Sequence, residues 1–370
     1  MGPIGLYVHV PFCASKCGYC DFYSETTREG KDAYLQVLEE EIRSYAGQGI
    51  TADSLFVGGG TPSMLAAGEL GDILDACREV FGLTGECTLE ANPDSVSPEF
   101  LREVRQRGFN RISFGAQSAV DSELRALGRR HNAARIGTTV EWARQAGFDN
   151  LSLDVMLGIP GQSRVSLGYT LGAFAELAPE HLSCYLLKIE EGTPFYRQHM
   201  ERLCAGDDLA ADLYLQTVET LSRAGYRQYE ISNFARNGKY SRHNTSYWQQ
   251  KPYIGFGPSA HSYDLHSRQW NTANLKTYID HLNEGTLSFE KEELKPIDLY
   301  NEYVMTSLRT MWGMEKQKLE RDYAMFWEQV QEQVRKYERS GDLVEEGGRW
   351  KISETGWVIS DAILSDLFVV

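Results

Sequence analysis

The chain has 370 residues, 42% of them hydrophobic, with a formal net charge of -15; this length holds one large domain with an appendage, or two domains, with ample material for a packed core. No apolar run approaches the ~18 residues of a membrane-spanning helix, and the acidic balance offers no footprint for a nucleic-acid backbone. These features predict a soluble, cytoplasmic protein with no nucleic-acid partner.

Residues 4–10 are short, β-branched and apolar and stop at Pro11, which predicts a buried strand. That strand delivers Cys13-Ala-Ser-Lys-Cys17-Gly-Tyr-Cys20, a CxxxCxxC loop. Thiolates are the preferred ligands of iron-sulfur clusters, and three of them in one loop can surround one inorganic centre. Zinc would want a fourth Cys or His, and Asp21-Phe22-Tyr23 supplies none. A disulfide would leave one thiol over, and residues 1–5 are too short for a signal peptide, so the redox context reads as reducing. Three ligands on a four-iron cluster leave one iron open for a small molecule. Phe12, Tyr19, Phe22 and Tyr23 are expected to wall the cluster, and Cys77, Cys87, Cys184 and Cys204 to be small buried thiols in helices and strands.

Helical spacing predicts a helix over 31–45, then a strand at 54–57 that runs into Gly58-Gly59-Gly60-Thr61-Pro62. A strand at 86–90 follows, then a helix capped by Ser97, with Pro98 at its first position and Gly108 past its last. Strands are expected at 111–114, 151–155 and 227–231, each after a glycine and an aromatic residue. Repetition of helix, glycine, aromatic residue and strand indicates parallel βα units. About six of them make an α/β, incomplete parallel (β/α)6-type barrel, whose functional groups sit at the carboxyl ends of the strands. The cysteines, Gly59, Gly60, Thr61, Glu90 and Gln117 occupy such ends, and Asp154 is expected late in strand five. Residues 236–270 read as loop-rich and aromatic. Beyond 293, helices at 299–311 and 325–340, a hairpin about Gly347-Gly348 and a helix at 361–368 predict a small winged-helix-like α+β domain. The expected division is 1–235, 236–292 and 293–370.

The cysteine spacing, Tyr7-Val-His-Val-Pro-Phe12 before it and the later glycine triplet resemble the radical S-adenosylmethionine (SAM) superfamily. The resemblance implies a 4Fe-4S cluster on Cys13, Cys17 and Cys20, with SAM on the open iron and cleaved by one electron to a 5′-deoxyadenosyl radical. By the same resemblance Gly59, Gly60 and Thr61 contact the SAM amino group, and Glu90 holds its ammonium or ribose. Arg129, with Arg130 as the neighbouring alternative, pairs with its carboxylate. Asp154 accepts from the ribose, and Gln117, Tyr7 and Tyr19 are further SAM-side positions. His9 is expected to support the cluster from behind.

Within the superfamily the chain most resembles the coproporphyrinogen III oxidase-like group, over nearly all its length. The group contains oxygen-independent oxidases and haem chaperones. The oxidase pattern extends to CxxxCxxCxC, whereas Phe22 stands two residues after Cys20 here, and only twelve residues precede Cys13. Both features point to the chaperone, as does Arg242-His243-Asn244-Thr-Ser-Tyr247-Trp248, which resembles its HNxxYW element. The resemblance implies haem as cargo, His243 or His261 as its iron contact, apo-haemoproteins as recipients and peripheral contact with membrane haemoproteins among them. The alternative is coproporphyrinogen oxidation; radical modification of RNA is opposed by the acidic charge.

Overall fold

The computed structural model of the protein describes residues 2–354 and 356–370. Strand β1 (Ile4–Val10) alternates as a two-sided strand should: Ile4, Leu6, Val8 and Val10 are buried against the helices, while Gly5, Tyr7 and His9 face the barrel lumen. Helix α1 (Lys31–Arg43) returns the chain to β2 (Ala52–Gly59), and α2 (Ala67–Phe81), β3 (Glu86–Ala91), α3 (Pro98–Arg107) and β4 (Arg111–Gln117) repeat the crossover. Helix α3 starts and stops where the sequence says: the Ser97 hydroxyl accepts from Phe100 N, and Gly108 ends the helix at φ 115°. Helices α4 (Asp121–Ala126) and α5 (Ala133–Gln145) lead to β5 (Leu151–Leu157), and α6 (Arg164–Glu176) leads to β6 (His181–Leu186).

Strands β1 to β6 pair in parallel in chain order, giving the expected (β/α)6 arrangement. The sixth parallel strand is His181–Leu186, not the expected 227–231. Lumen-facing His181, Ser183 and Tyr185 break up its apolar run, which hid it from a hydrophobicity pattern. After α7 (Pro194–Arg197) and α8 (Asp207–Arg223), the stretch beyond Gly225 makes only β7 (Arg227–Gln228), antiparallel to β8 (Asn233–Ala235) at the sheet edge. Cys77, Cys87 and Cys184 are buried thiols as expected; Cys204 is half-buried and follows a short 3-10 turn instead of lying within an element.

Residues 236–270 are not the loop that the lack of period suggested. They form α9 (Arg242–Trp248), β9 (Tyr253–Phe256), β10 (His261–Tyr263) and the start of β11 (Ser267–Asn271), and β9 adds to the free edge of β1 in parallel. Elements of three to seven residues carry too little sequence for a periodicity to show. Helix α10 (Leu275–Asn283) and β12 (Phe289–Glu293) complete a twelve-stranded sheet whose two edges do not pair with each other, so the barrel stays open on one side.

The remaining residues form α11 (Pro296–Leu308), β13 (Met314–Glu315), α12 (Lys316–Asp322), α13 (Ala324–Ser340), the hairpin β14 (Leu343–Glu346) and β15 (Arg349–Ile352), and α14 (Ser360–Leu367). Phe326, Val330, Val334 and Tyr337 repeat at helical spacing on α13 and bury a second core with Tyr300, Trp350 and Leu367. This unit docks on the barrel through Ile231 N to Arg309 O (3.0 Å) and Met311 N to Tyr229 O (2.9 Å).

Candidate functional site

The cluster loop leaves β1 at Pro11 and is stitched to the chain behind it: Cys13 N donates to Glu25 O at 2.9 Å and Glu25 N to Pro11 O at 2.7 Å. Cys13, Cys17 and Cys20 are free and half-buried. Burial, eased by a backbone N–H of Phe22, raises the Cys20 pKa, and Cys17 and Cys13 are close enough to add to the shift. Among the described residues no three His, Cys, Asp or Glu side chains converge as ligands of a single ion would. A four-iron cluster takes one thiolate at each of three separate irons, and three thiols spread round a loop fit that requirement.

Thr61 reaches this loop from the end of β2, and Arg129 from the connection between α4 and α5. Thr61 Oγ1 lies 3.4 Å from Cys13 Sγ, and Arg129 donates towards Cys17 Sγ at 3.7 Å and Tyr19 Oη at 3.5 Å. Asn92, which sequence reasoning passed over, ties the two together: its Nδ2 donates to Thr61 Oγ1 at 3.1 Å and its Oδ1 accepts from Arg129. Its signal was its place two residues after Glu90, at the end of β3. Arg130 turns away to Asp94 at 3.4 Å and is more than half exposed, which leaves Arg129 as the inward guanidinium.

The glycine triplet is required by packing as well as by any ligand. A Cβ on Gly58 would meet Glu90 Oε2 at 2.9 Å, one on Gly59 the His9 ring at 2.7 Å, and one on Gly60 Phe12 O at 2.8 Å. Burial, with Asp154 nearby, pushes the Glu90 carboxyl up to about 8; burial likewise pushes Asp154 up to about 6, against hydrogen bonds from Ser113 and Ser183. Asp154 sits at the middle of β5, not late in it. Gln117 ends β4 in the left-handed region at φ 67° and is buried. Tyr7 Oη bonds His9 Nδ1 at 3.0 Å and His9 Nε2 bonds Tyr23 O at 2.9 Å, a chain that supports the loop from below; burial lowers His9 to about 4, so the ring is neutral.

Of the expected apolar wall, Phe12 is buried and packs edge-on to Tyr34, and Tyr19 faces the loop interior, but Phe22 is 66% exposed and walls nothing. Phe195 covers the loop instead. Its ring packs edge-on to Tyr19 at 6.2 Å and its N–H donates to Gly18 O at 2.8 Å. No sequence signal marks it, because α7 is a four-residue helix inside a long connection.

His243 is not brought to the cysteines. Helix α9 plugs the opposite, amino-terminal end of the barrel, where the Arg242 and His243 backbone N–H groups donate to the Glu86 carboxylate, each at 3.2 Å. The ring is fully buried beside Gly5 and stacks on Phe56; Nδ1 bonds Ser54 Oγ at 3.1 Å and Nε2 bonds Tyr247 Oη at 2.7 Å. Both ring nitrogens are thus hydrogen-bonded within the protein. His261, the other candidate, lies exposed in β10 and stacks on Trp270. Tyr247 and Trp248 line a cavity of about 390 Å³ in the open side of the barrel.

Residues 7–172 match the radical SAM superfamily and residues 294–359 the HemN C-terminal domain. Heme chaperone HemW of Bacillus subtilis is 35% identical across 86% of each chain. The protein of the same name from Mycobacterium tuberculosis H37Rv is 34% identical over 99% of this chain and 95% of its own, and that from Escherichia coli K12 is 31% identical over 99% and 98%. The structure of coproporphyrinogen III oxidase HemN from Escherichia coli superposes with a TM-score of 0.84 over 99% of this chain and 90% of that one; at 24% identity it shows the fold. On this identity over nearly its full length, the chain belongs to the HemW family of the radical SAM superfamily.

Proposed function

We propose that the protein is a haem chaperone that carries a 4Fe-4S cluster on Cys13, Cys17 and Cys20, binds SAM beside it, and delivers haem to apo-haemoproteins. The observation that carries this reading is the full-length likeness to proteins named as haem chaperones, joined to Phe22 in place of the further cysteine of the oxidase pattern.

Cys13, Cys17 and Cys20 would hold the cluster, which would supply one electron and a site beside which SAM binds. The chain's own residues do the rest. Arg129 offers a planar two-pronged donor to a carboxylate. Glu90 and Asp154 face the lumen as acceptors for the ammonium and ribose of SAM, beside Gly59, Gly60 and Thr61, with Gln117 and Tyr7 completing the pocket. Tyr19 and Phe195 keep water from the loop. Among the described residues no helix is long and apolar enough to cross a membrane, so membrane-bound recipients would be met by peripheral contact.

The second reading, oxidation of coproporphyrinogen, is favoured by the fold shared with HemN. An anaerobic assay with reconstituted cluster, SAM, a reductant and coproporphyrinogen III separates the two. The chaperone reading expects no protoporphyrinogen; its formation with turnover, alongside 5′-deoxyadenosine, replaces that reading with the oxidase.

A further inference from the structure

Resting on the cluster reading above, we propose that Asn92 is a positioning residue that aims the Thr61 hydroxyl at Cys13 Sγ, and that this hydrogen bond raises the reduction potential of the cluster. From Arg129 through Asn92 and Thr61 to Cys13, the direction of each hydrogen bond follows from what its members can donate. A guanidinium has donors only, so the amide oxygen of Asn92 faces Arg129 and its NH2 group donates to Thr61 Oγ1 at 3.1 Å. Thr61 Oγ1 accepts that bond and keeps its single hydrogen for another partner. Its other neighbour is Cys13 Sγ at 3.4 Å, and a cysteine bound to iron is a thiolate, which only accepts. The hydrogen therefore points to sulfur.

The surroundings hold the amide in this sense. The backbone N–H of Asn92 donates to Ser63 Oγ and Ser95 Oγ, each at 3.3 Å, and its carbonyl accepts from Ser95 Oγ at 2.9 Å and Ser95 N at 3.0 Å, which fixes the turn after β3. Arg129 is held from its far side by Gly115 O at 2.6 Å, so the amide oxygen meets a cation already in place. A flipped amide would set NH2 against the guanidinium, donor against donor. Thr61 is buried, so bulk solvent does not compete for its hydroxyl. A hydrogen bond onto a cluster thiolate stabilises the reduced, more negative cluster more than the oxidised one, and such bonds are among the factors that set iron-sulfur potentials. Aspartate at position 92 would invert the relay. Its carboxylate accepts from Arg129 and from the Thr61 hydroxyl alike, which turns the one hydrogen of Thr61 away from sulfur.

The test is the midpoint potential of the cluster, followed by electron paramagnetic resonance without SAM, in wild type, Asn92→Asp, Thr61→Val and the double variant. Thr61→Val removes the hydroxyl without adding charge, and its potential is expected to fall below that of wild type. Asn92→Asp adds a negative charge as well as turning the hydroxyl, and the Thr61→Val background isolates the charge because no hydroxyl remains there. In that background the shift caused by Asn92→Asp is expected to be smaller than in wild type. Equal shifts in the two backgrounds, or a Thr61→Val potential equal to that of wild type, overturn the relay. The same hydrogen is read without Thr61→Val by electron-nuclear double resonance of the reduced cluster in D2O. Asn92→Asp is expected to lose one exchangeable deuteron coupling present in wild type, and unchanged couplings overturn the relay. Each of these results leaves the cluster reading standing, whereas wild type that takes up no 4Fe-4S cluster overturns both.

Discussion

Arg129 joins the cluster loop to the strand ends: one amino group points at Cys17 Sγ from 3.7 Å, and the other donates to Gly115 O at 2.6 Å and to Asn92. A guanidinium held this way keeps its orientation before any ligand arrives. Arg129→Lys replaces the fork with a point charge that cannot serve all three partners. SAM affinity is expected to fall about 10- to 100-fold, with the cluster retained. Equilibrium dialysis of reconstituted protein checks this, and unchanged affinity would remove Arg129 from the SAM site.

Glu90 and Asp154 make the ligand-free protein less stable as pH rises. Their folded values, about 8 and about 6, lie above the ordinary carboxylate values of 4.5 and 3.8. Between the ordinary and the raised values the folded chain binds more protons than the unfolded chain, so stability falls as pH climbs through that window and levels off above about 8. Glu90→Gln removes the larger share, and its Tm is expected to exceed that of wild type by a few degrees near pH 8.5 and to match it near pH 5. Parallel Tm curves for the two proteins would contradict the assignment.

Gly18 and Phe195 are coupled. A Cβ on Gly18 would lie 2.3 Å from the Phe195 ring, so Gly18→Ala displaces either the loop or the segment that covers it. The substitution is expected to speed loss of cluster absorbance in air severalfold. Gly18→Ala combined with Phe195→Ala relieves the clash, so the effects of the two changes should not add. Additive effects would show that the contact does not matter to the cluster.

Glu41 clasps the unexpected strands to the barrel. Its buried carboxylate accepts from Tyr278 Oη at 2.6 Å, Gly257 N at 3.0 Å and Asn271 Nδ2 at 3.2 Å, joining α1 to the segment after β9. Removing one such bond by Tyr278→Phe is expected to cost about 1.5–3 kcal/mol of unfolding free energy. Denaturant titration measures it, and a change within error would show that the clasp contributes nothing.

Legibility in the sequence followed the length and regularity of each element. Strand β1, helix α3 and the hairpin about Gly347 could be placed from the chain because apolar alternation, Ser97 with Pro98 and Gly108, and paired glycines each force one local answer. Strand β6 could not, because its lumen-facing His181 and Ser183 are polar for reasons set by the interior of the barrel. The cysteines and glycine triplet were legible because their chemistry is local. Asn92 and Phe195 were not, since each acts through a neighbour distant in the chain: Thr61 and Arg129 for one, Gly18 for the other. His243 was legible as a motif residue, while its burial behind Tyr247 depends on how α9 enters the barrel.

The most direct test of the central claim is transfer of haem from the loaded protein to a spectroscopically distinct apo-haemoprotein, followed by absorption under anaerobic conditions. The account predicts that the acceptor gains its own haem spectrum as the donor loses haem, faster than haem released passively to a scavenger. Transfer no faster than passive release would contradict it.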